Sequence, residues 1–279
     1  MNTSTGTDGF RTIERRLAEG RGQGRGRDYR PWIMIHDFPS QGRAHREISP
    51  LNGRVCHLMS DHEDNGFCAF HALPGLRDTR EQYPLDIEET LGITERLGIV
   101  HPTDPVSHEL CVVTTDNLLT FHDGLHEFDI AVAIKPSAHL SSRRTLEKLE
   151  IERVYWSARN IEWRLLTERE LPRSLVKNMR WLLPHLNLTE SSDFPGEVVS
   201  RIRTVMEPAV TEGRRPLAEI AAECDDRLGL AAGSALSVTR HLIGIRVWPV
   251  DLTVEIDPQR PLCLVQNGGT HELTRVFAA

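Results

Sequence analysis

The sequence predicts an α/β domain followed by a mainly helical one. Three observations carry this. Strand-like and helix-like segments are mixed up to about residue 171. Among them, Asp123-Gly124 is a hairpin signal between two strand-like runs. From Pro172 onward the apolar pattern turns helical. The 279 residues suffice for two domains. The expected division is a basic helix and arm over 1–30, an α/β domain over 31–171 and a helical domain over 172–279.

The elements follow in order. Residues 10–19 suit a short helix. Gly20–Arg30 carries glycines at 20, 22, 24 and 26 and arginines at 21, 25, 27 and 30. With almost no apolar residue it is expected to be a flexible loop, either a phosphate-contacting arm or a plain linker. Pro31–His36 and Arg54–Met59 suit strands. Ser60 opens a helix to about His71. Leu76–Tyr83 suits a strand and Asp86–Leu97 a helix ended by Gly98. Glu109–Thr115 and Asn117–His122 are strand-like. In Glu127–Lys135, Phe128, Ile130, Val132 and Ile134 alternate with Asp129, Ala131, Ala133 and Lys135. Ser142–Arg159 suits an amphipathic helix and Trp163–Leu166 a further strand. Helices are expected at 173–183, 194–211, 216–228 and 232–243, then β runs at Ile245–Val254 and Leu262–Gln266. Three helices and a two-stranded tail is the order of a winged helix-turn-helix.

Composition narrows the function classes. Hydrophobic residues make up 39% and charged residues 26%, which suits a globular chain. The longest apolar run, Ile130–Ile134, is too short for a membrane span, and no signal core is expected at the N-terminus. Five cysteines, none within ten residues of another, exclude a Cys-x-x-Cys zinc ribbon and argue against a disulfide framework. No phosphate-binding glycine loop, Gly-x-Ser-x-Gly or His-Glu-x-x-His occurs. The net charge of −7 is unevenly spread. Residues 1–60 are +4, 61–133 are −12, 134–181 are +5 and 182–279 are −4. Gathered acids suit divalent cations and flanking basic segments suit a polyanion, although such blocks also arise as solvated faces.

The hairpin carries the most chemistry. With a two-residue loop at Asp123-Gly124, Asp116 falls opposite Ala131 and shares a face with Asp129, Ala133 and Lys135. A carboxylate beside an ammonium across two strands is the arrangement of a metal-dependent nuclease: the carboxylate holds Mg²⁺ and the lysine orients the attacking water. It is also the arrangement of an exposed cross-strand ion pair. A one-residue slip would separate them. Glu63 is the candidate second carboxylate, although Ser60-Asp61-His62-Glu63 also reads as a capping box, with Glu63 bonding back to the Ser60 amide. Asp61 and Asp64 suit ordinary first-turn acids. His122 and His126 flank the turn and suit exposed positions rather than metal ligands.

The chain resembles the TnsA endonucleases of heteromeric transposases. Ser40-x-Gly42-Arg43, His57-Leu58-Met59-Ser60-Asp61-x-Glu63, Arg80-Glu81-Gln82-Tyr83-Pro84-Leu85, His101-Pro102, Thr114-Thr115-Asp116, Lys135-Pro136-Ser137, Tyr155-Trp156, Trp163 and Leu165-Leu166-Thr167 stand in that family's order. The resemblance implies a restriction-endonuclease-like mixed sheet with flanking helices. It implies Mg²⁺-dependent nicking at transposon 5′ ends, with Mn²⁺ able to substitute. By resemblance Glu63, Asp116 and Lys135 are the catalytic set. Glu63, Asp116 and the backbone carbonyl of Ile134 are then the metal ligands. Ala133 departs from the pattern, because the family usually carries glutamine two residues before the lysine; Asp129 is the candidate to compensate through water.

The resemblance further implies double-stranded transposon-end DNA, a TnsB-like DDE transposase and a TnsC-like AAA+ ATPase as partners, in the bacterial cytoplasm at the nucleoid. Arg143, Arg144 and Lys148 are the candidate DNA contacts, or else a solvated helix face with Glu147, Glu150 and Glu152. The helix at 232–243 offers only Arg240 and His241, which favours packing or protein contact over DNA reading. The competing function, supported by Ala133, is a catalytically weak architectural subunit joining the DDE transposase to the ATPase. A stand-alone nuclease is the third reading.

Overall fold

A computed structural model describes residues 8–37, 43–105, 107–190 and 193–265. The chain divides into two compact units, Met1–Gly66 with Gly75–Arg169, and Phe67–Pro74 with Glu170–Ala279. Ser40, Gly42 and Gln266 of the sequence motifs lie outside the described residues. Among the described residues, no helix is long and apolar enough to cross a membrane.

The first unit begins with α1 (Asp8–Ala18). The segment after it is not the flexible loop expected. Gly22 N donates to Arg30 O at 2.6 Å and Arg30 N to Gln23 O at 3.1 Å, so the glycines build a tight closed turn. Gly22 has φ +75°, and a Cβ there would lie 2.2 Å from Pro84 Cγ. Arg21 is buried on Glu19, Asp37 and the Trp32 carbonyl. Pro31–His36 is not a strand either: Trp32 is buried with its amide on the Gln82 carbonyl at 3.2 Å, and Ile35–Asp37 forms a 3₁₀ turn. The first strand is instead β1 (His45–Ile48), paired antiparallel with β2 (Val55–Leu58).

Ser60 precedes α2 (Asp61–Phe70). Then come β3 (Leu76–Pro84), α3 (Ile87–Leu97), β4 (Thr114–His122), β5 (Glu127–Ile134), α4 (Arg143–Ser157) and β6 (Glu162–Leu166). Asp86 caps α3 by accepting from Glu89 N at 3.0 Å, and Gly98 at φ 64° ends it. Of the run Glu109–Thr115, only Thr114 and Thr115 join a strand, while Leu110 makes a single bridge to Thr103. The sheet order is β3-β4-β5-β6; the first three are antiparallel and β6 lies parallel to β5, which makes the sheet mixed. Leu85, Ile93, Leu118, Ala131, Ile151 and Trp156 form its core with α3 and α4.

The hairpin register differs from the expected one by two residues. His122 pairs with Glu127 and Leu118 with Ala131, around a four-residue loop. Asp123 Oδ1 accepts from both Leu125 N and His126 N at 2.8 Å, which favours the longer loop. A shift of two leaves every side chain on its original face. Asp116 therefore keeps the face expected of it but falls opposite Ala133.

The second unit holds α5 (Arg173–Leu182), α6 (Gly196–Glu212), α7 (Leu217–Leu228) and α8 (Ser234–Gly244) around Leu175, Leu182, Ile202, Met206, Leu217, Val238 and Trp248. Neither expected β run forms a strand among the described residues after α8. Pro249, Pro258 and Pro261 remove amide donors from that stretch. Asn178 of α5 takes up its backbone groups instead, donating to Leu252 O at 2.9 Å and Val254 O at 2.7 Å and accepting from Ile256 N at 2.9 Å. Arg240 lies over the Trp181 ring at 4.6 Å, and buried His241 meets the His185 carbonyl at 2.9 Å. Both basic groups of α8 are thus engaged within the unit.

Candidate active site

Three sheet strands bring the site together. Glu81↔Asn117 and Tyr83↔Thr115 bracket Gln82 opposite Asp116, and the β4–β5 register sets Asp116 opposite Ala133. Lys135 follows directly after β5. Asp116 Oδ2 accepts from Lys135 Nζ at 2.8 Å and from Ile134 N at 2.6 Å. Burial opposes the charge on Lys135, but Asp116 and then Glu152 outweigh it, so the ammonium is held more firmly protonated than a free lysine. The juxtaposition of Asp116 with Lys135 is present, and the pair is not an exposed one: the side chains are 9% and 32% accessible.

Glu63 comes from the first turn of α2. Its Oε2 accepts from Met59 N at 2.9 Å and Gln82 Nε2 at 3.1 Å, and its Oε1 accepts from the Ser60 hydroxyl at 3.1 Å. Ser60 Oγ in turn accepts from Glu63 N at 3.2 Å. The capping box therefore forms, with the Met59 amide in the place expected for the Ser60 amide. Capping and membership of the site do not conflict, because the cap itself sits beside the sheet end. Burial first, and then the charge of Asp116, push the Glu63 carboxyl up to about 7. The Met59 amide, Lys135 and Ser60 pull the other way.

Glu152 of α4, which the alternative reading of this helix placed on a solvated face, is buried. Burial and the charge of Asp116 push its carboxyl up to about 8, against Lys135, Thr115 and Trp163. The sequence did hold a signal: 149, 152 and 156 share the helical spacing of the buried Leu149 and Trp156. Glu147 and Glu150 behave as expected of a surface. Arg143 and Arg144 reach Glu147 at 2.9 and 3.1 Å, Arg144 also donates to the Val100 carbonyl at 2.7 Å, and Lys148 is exposed.

Asp129 is committed elsewhere. It accepts from Thr120 Oγ1 at 2.5 Å and Arg80 Nη2 at 3.0 Å, so its carboxylate serves β3–β5 cohesion rather than the Asp116 group. His122 and His126 stay at the hairpin loop, where His122 Nδ1 accepts from Gly124 N. Asp61 and Asp64 are not plain first-turn acids: both face His45, at 2.6 and 3.8 Å. His45, Glu47 and Asp64 place potential ligand atoms within 4.8 Å of one another.

The donor chemistry fits a hard divalent cation. Glu63 and Asp116 are oxygen donors; burial and then the charge of Asp116 oppose ionisation of Glu63, and a cation between the carboxylates relieves that cost.

A family model described as "TnsA-like endonuclease N terminal" matches residues 74–168, and "TnsA endonuclease C terminal" matches 170–252. The Tn7 transposition protein TnsA of Escherichia coli is 35% identical over 230 residues, 82% of either chain. The chain belongs to the TnsA endonuclease family. It is thus a DNA endonuclease subunit of the transposition type, built on a restriction-endonuclease-like domain. Asp116, Lys135 and Glu152 fall within the matched TnsA N-terminal region, while Glu63 lies before it. A divalent metal is what such a TnsA domain suggests.

Proposed function

We propose that this protein nicks the 5′ ends of a transposon in an Mg²⁺-dependent step of cut-and-paste transposition. The observation that carries the reading is the Lys135 ammonium on the Asp116 carboxylate with Glu63 beside them. Glu63, Asp116 and the Ile134 carbonyl would hold the metal, and Mn²⁺ is expected to substitute. When bound, the cation supplies Lewis acidity to the scissile phosphate and makes water a stronger nucleophile. Lys135 orients that water and stabilises the charge that grows on the phosphate oxygens. Asp116 holds Lys135 in place and keeps it protonated. In-line attack leaves a 5′-phosphate and a 3′-hydroxyl.

Arg143, Arg144 and Lys148 are proposed to meet the DNA backbone, releasing Glu147 as they do so. A TnsB-like DDE transposase would cut the 3′ ends, and a TnsC-like AAA+ ATPase would regulate both subunits. Residues 172–279 are proposed as a partner-docking domain, whose described residues lack the two-stranded wing expected from the sequence; the internal engagement of Arg240 and His241 supports docking over DNA reading. The setting is the bacterial cytoplasm, at the nucleoid.

The test is strand-specific cleavage of transposon-end DNA with Mg²⁺ and both partners, comparing wild type with Asp116→Ala. Loss of the 5′ nicks alone in the variant is the expected result. If wild type makes no 5′ nicks while 3′ cutting continues, the architectural reading takes over; Ala133, buried opposite Asp116, is the feature that favours it.

A further inference from the structure

We infer that Gln82 is a positioning residue for the metal carboxylates: its side-chain amide fixes the orientation of Glu63. This rests on the proposed metal-binding role of Glu63 and Asp116.

Gln82 lies within β3 at φ +48°, a left-handed conformation uncommon for a residue with a side chain. Such strain persists only where the surroundings impose it. Here they do. On one side Glu81 is fixed by Arg54, whose Nη1 and Nη2 reach its two carboxylate oxygens at 2.7 and 2.6 Å. The Glu81 carbonyl accepts from the Tyr29 hydroxyl at 3.0 Å. The Gln82 carbonyl accepts from Trp32 N, outside the β4 ladder. On the other side Tyr83 resumes pairing with Thr115. The strand is thus anchored before and after a single irregular residue, and that residue stands in register with Asp116.

In the ionised form that binds a cation, the Glu63 carboxylate only accepts, so the group 3.1 Å from its Oε2 is the Gln82 Nε2 donor. Gln82 Oε1 then accepts from the Thr114 hydroxyl at 3.3 Å, which gives the far side of the amide a partner as well. Gln82 is 4% exposed, so no solvent competes for these bonds. Glu63 Oε2 is consequently held between a backbone donor, Met59 N, and a side-chain donor that comes from the Asp116 strand pair. The backbone donor fixes Glu63 to the residues that lead into its helix. The amide ties it to the sheet that carries Asp116, and so sets the separation of the two carboxylates. Gln82 itself needs no contact with the metal or the DNA.

The test is Mn²⁺ binding to the full chain without DNA, read by the electron paramagnetic resonance of free Mn²⁺. Wild type is compared with Gln82→Met, Thr114→Val and Asp116→Ala, with thermal melts alongside. Gln82→Met keeps the length of the side chain and deletes the donor; it is expected to weaken binding about tenfold. Thr114→Val leaves Gln82 in place but frees its amide, and is expected to weaken binding about threefold without lowering the melting temperature. Wild-type affinity in both variants overturns the role of Gln82 while leaving the metal site intact. If wild type binds no Mn²⁺, or Asp116→Ala binds as tightly as wild type, the metal-site reading fails and this inference with it. Should Gln82→Met not fold, Thr114→Val alone decides.

Discussion

Lys135 and Ile134, adjacent in the chain, donate to the same oxygen of Asp116, Nζ at 2.8 Å and the backbone amide at 2.6 Å. Asp116 is therefore fixed by the backbone of β5 as well as by the lysine. The amide bond survives any substitution at Lys135, so the ammonium can be removed without releasing the carboxylate. No hydrogen bond among the described residues engages Asp116 Oδ1.

This separation predicts different outcomes at the two positions. Lys135→Ala is expected to lower 5′-strand cleavage by about 10²–10³-fold, the loss typical when a preorganised charge is removed from a reacting centre. Its Mn²⁺ affinity is expected to stay within a few-fold of wild type. Asp116→Ala is expected to lose both. Parallel cleavage and Mn²⁺ titrations check this; loss of metal by Lys135→Ala would mean that the lysine, and not the Ile134 amide, sets the carboxylate.

The buried acids make the metal-free protein sensitive to pH. In the unfolded chain a glutamate loses its proton near 4.5, whereas the folded protein holds Glu63 protonated up to about 7 and Glu152 up to about 8. Burial lowers the His71 imidazole to about 4, which opposes the effect of the two acids at lower pH; above about 6.5 that histidine is neutral in both states, the two acids dominate, and stability falls as pH rises through about 8. Urea melts in EDTA at pH 6.5, 7, 7.5 and 8 are expected to show that decline. Glu152→Gln, which is neutral throughout, is expected to flatten the upper part of it. A divalent cation is expected to oppose it, since the ion requires ionised ligands.

The residues explain why some of this was legible in the sequence and some was not. Asp116 and Lys135 were legible because strand alternation fixes a face, and the two-residue error in register preserved it. Glu63 was ambiguous because its cap and its place in the site use the same carboxylate oxygens. Gln82 was silent as a site residue, since a positive φ within a strand leaves no trace in a hydrophobic pattern. The apolar run Pro31–His36 resembled a strand, yet Trp32 is buried without joining a ladder. After α8 the apolar residues remain, but prolines and the Asn178 side chain decide their backbone pairing.

The arginine-rich turn offers a test of glycine as geometry rather than slack. Gly20 has φ +72° with nothing within 4 Å of the point a Cβ would occupy, whereas a Cβ on Gly22, at φ +75°, would meet Pro84 Cγ at 2.2 Å. Gly20→Ala is expected to cost about 1 kcal/mol, from conformation alone. Gly22→Ala adds a clash with a rigid ring, for an expected total of about 2–4 kcal/mol. Chemical denaturation of the two variants measures the difference; equal losses would mean that the turn is not packed on Pro84.

In the second unit Asp225 of α7 is the residue on which α8 depends. The helix starts after Gly233, at φ 90°, with no side chain of its own to cap it. Its exposed amides are met from outside: Asp225 Oδ2 accepts from Gly233 N at 2.7 Å and Oδ1 from Ala235 N at 2.8 Å. A carboxylate at a helix N-terminus is favoured by the helix dipole as well as by these bonds. Asp225 is buried, so Asp225→Ala would leave two amides with no replacement partner and little access to water. The expected loss is about 2–4 kcal/mol. Asp225→Asn retains one acceptor and is expected to lose about half as much. Because Asp225 lies far along the chain from Glu63, Asp116 and Lys135, neither variant is expected to change the Mn²⁺ affinity of the protein that remains folded. Urea melts paired with Mn²⁺ titrations read the two effects separately, and a fall in metal affinity with unchanged stability would show that the cap acts on the site rather than on α8.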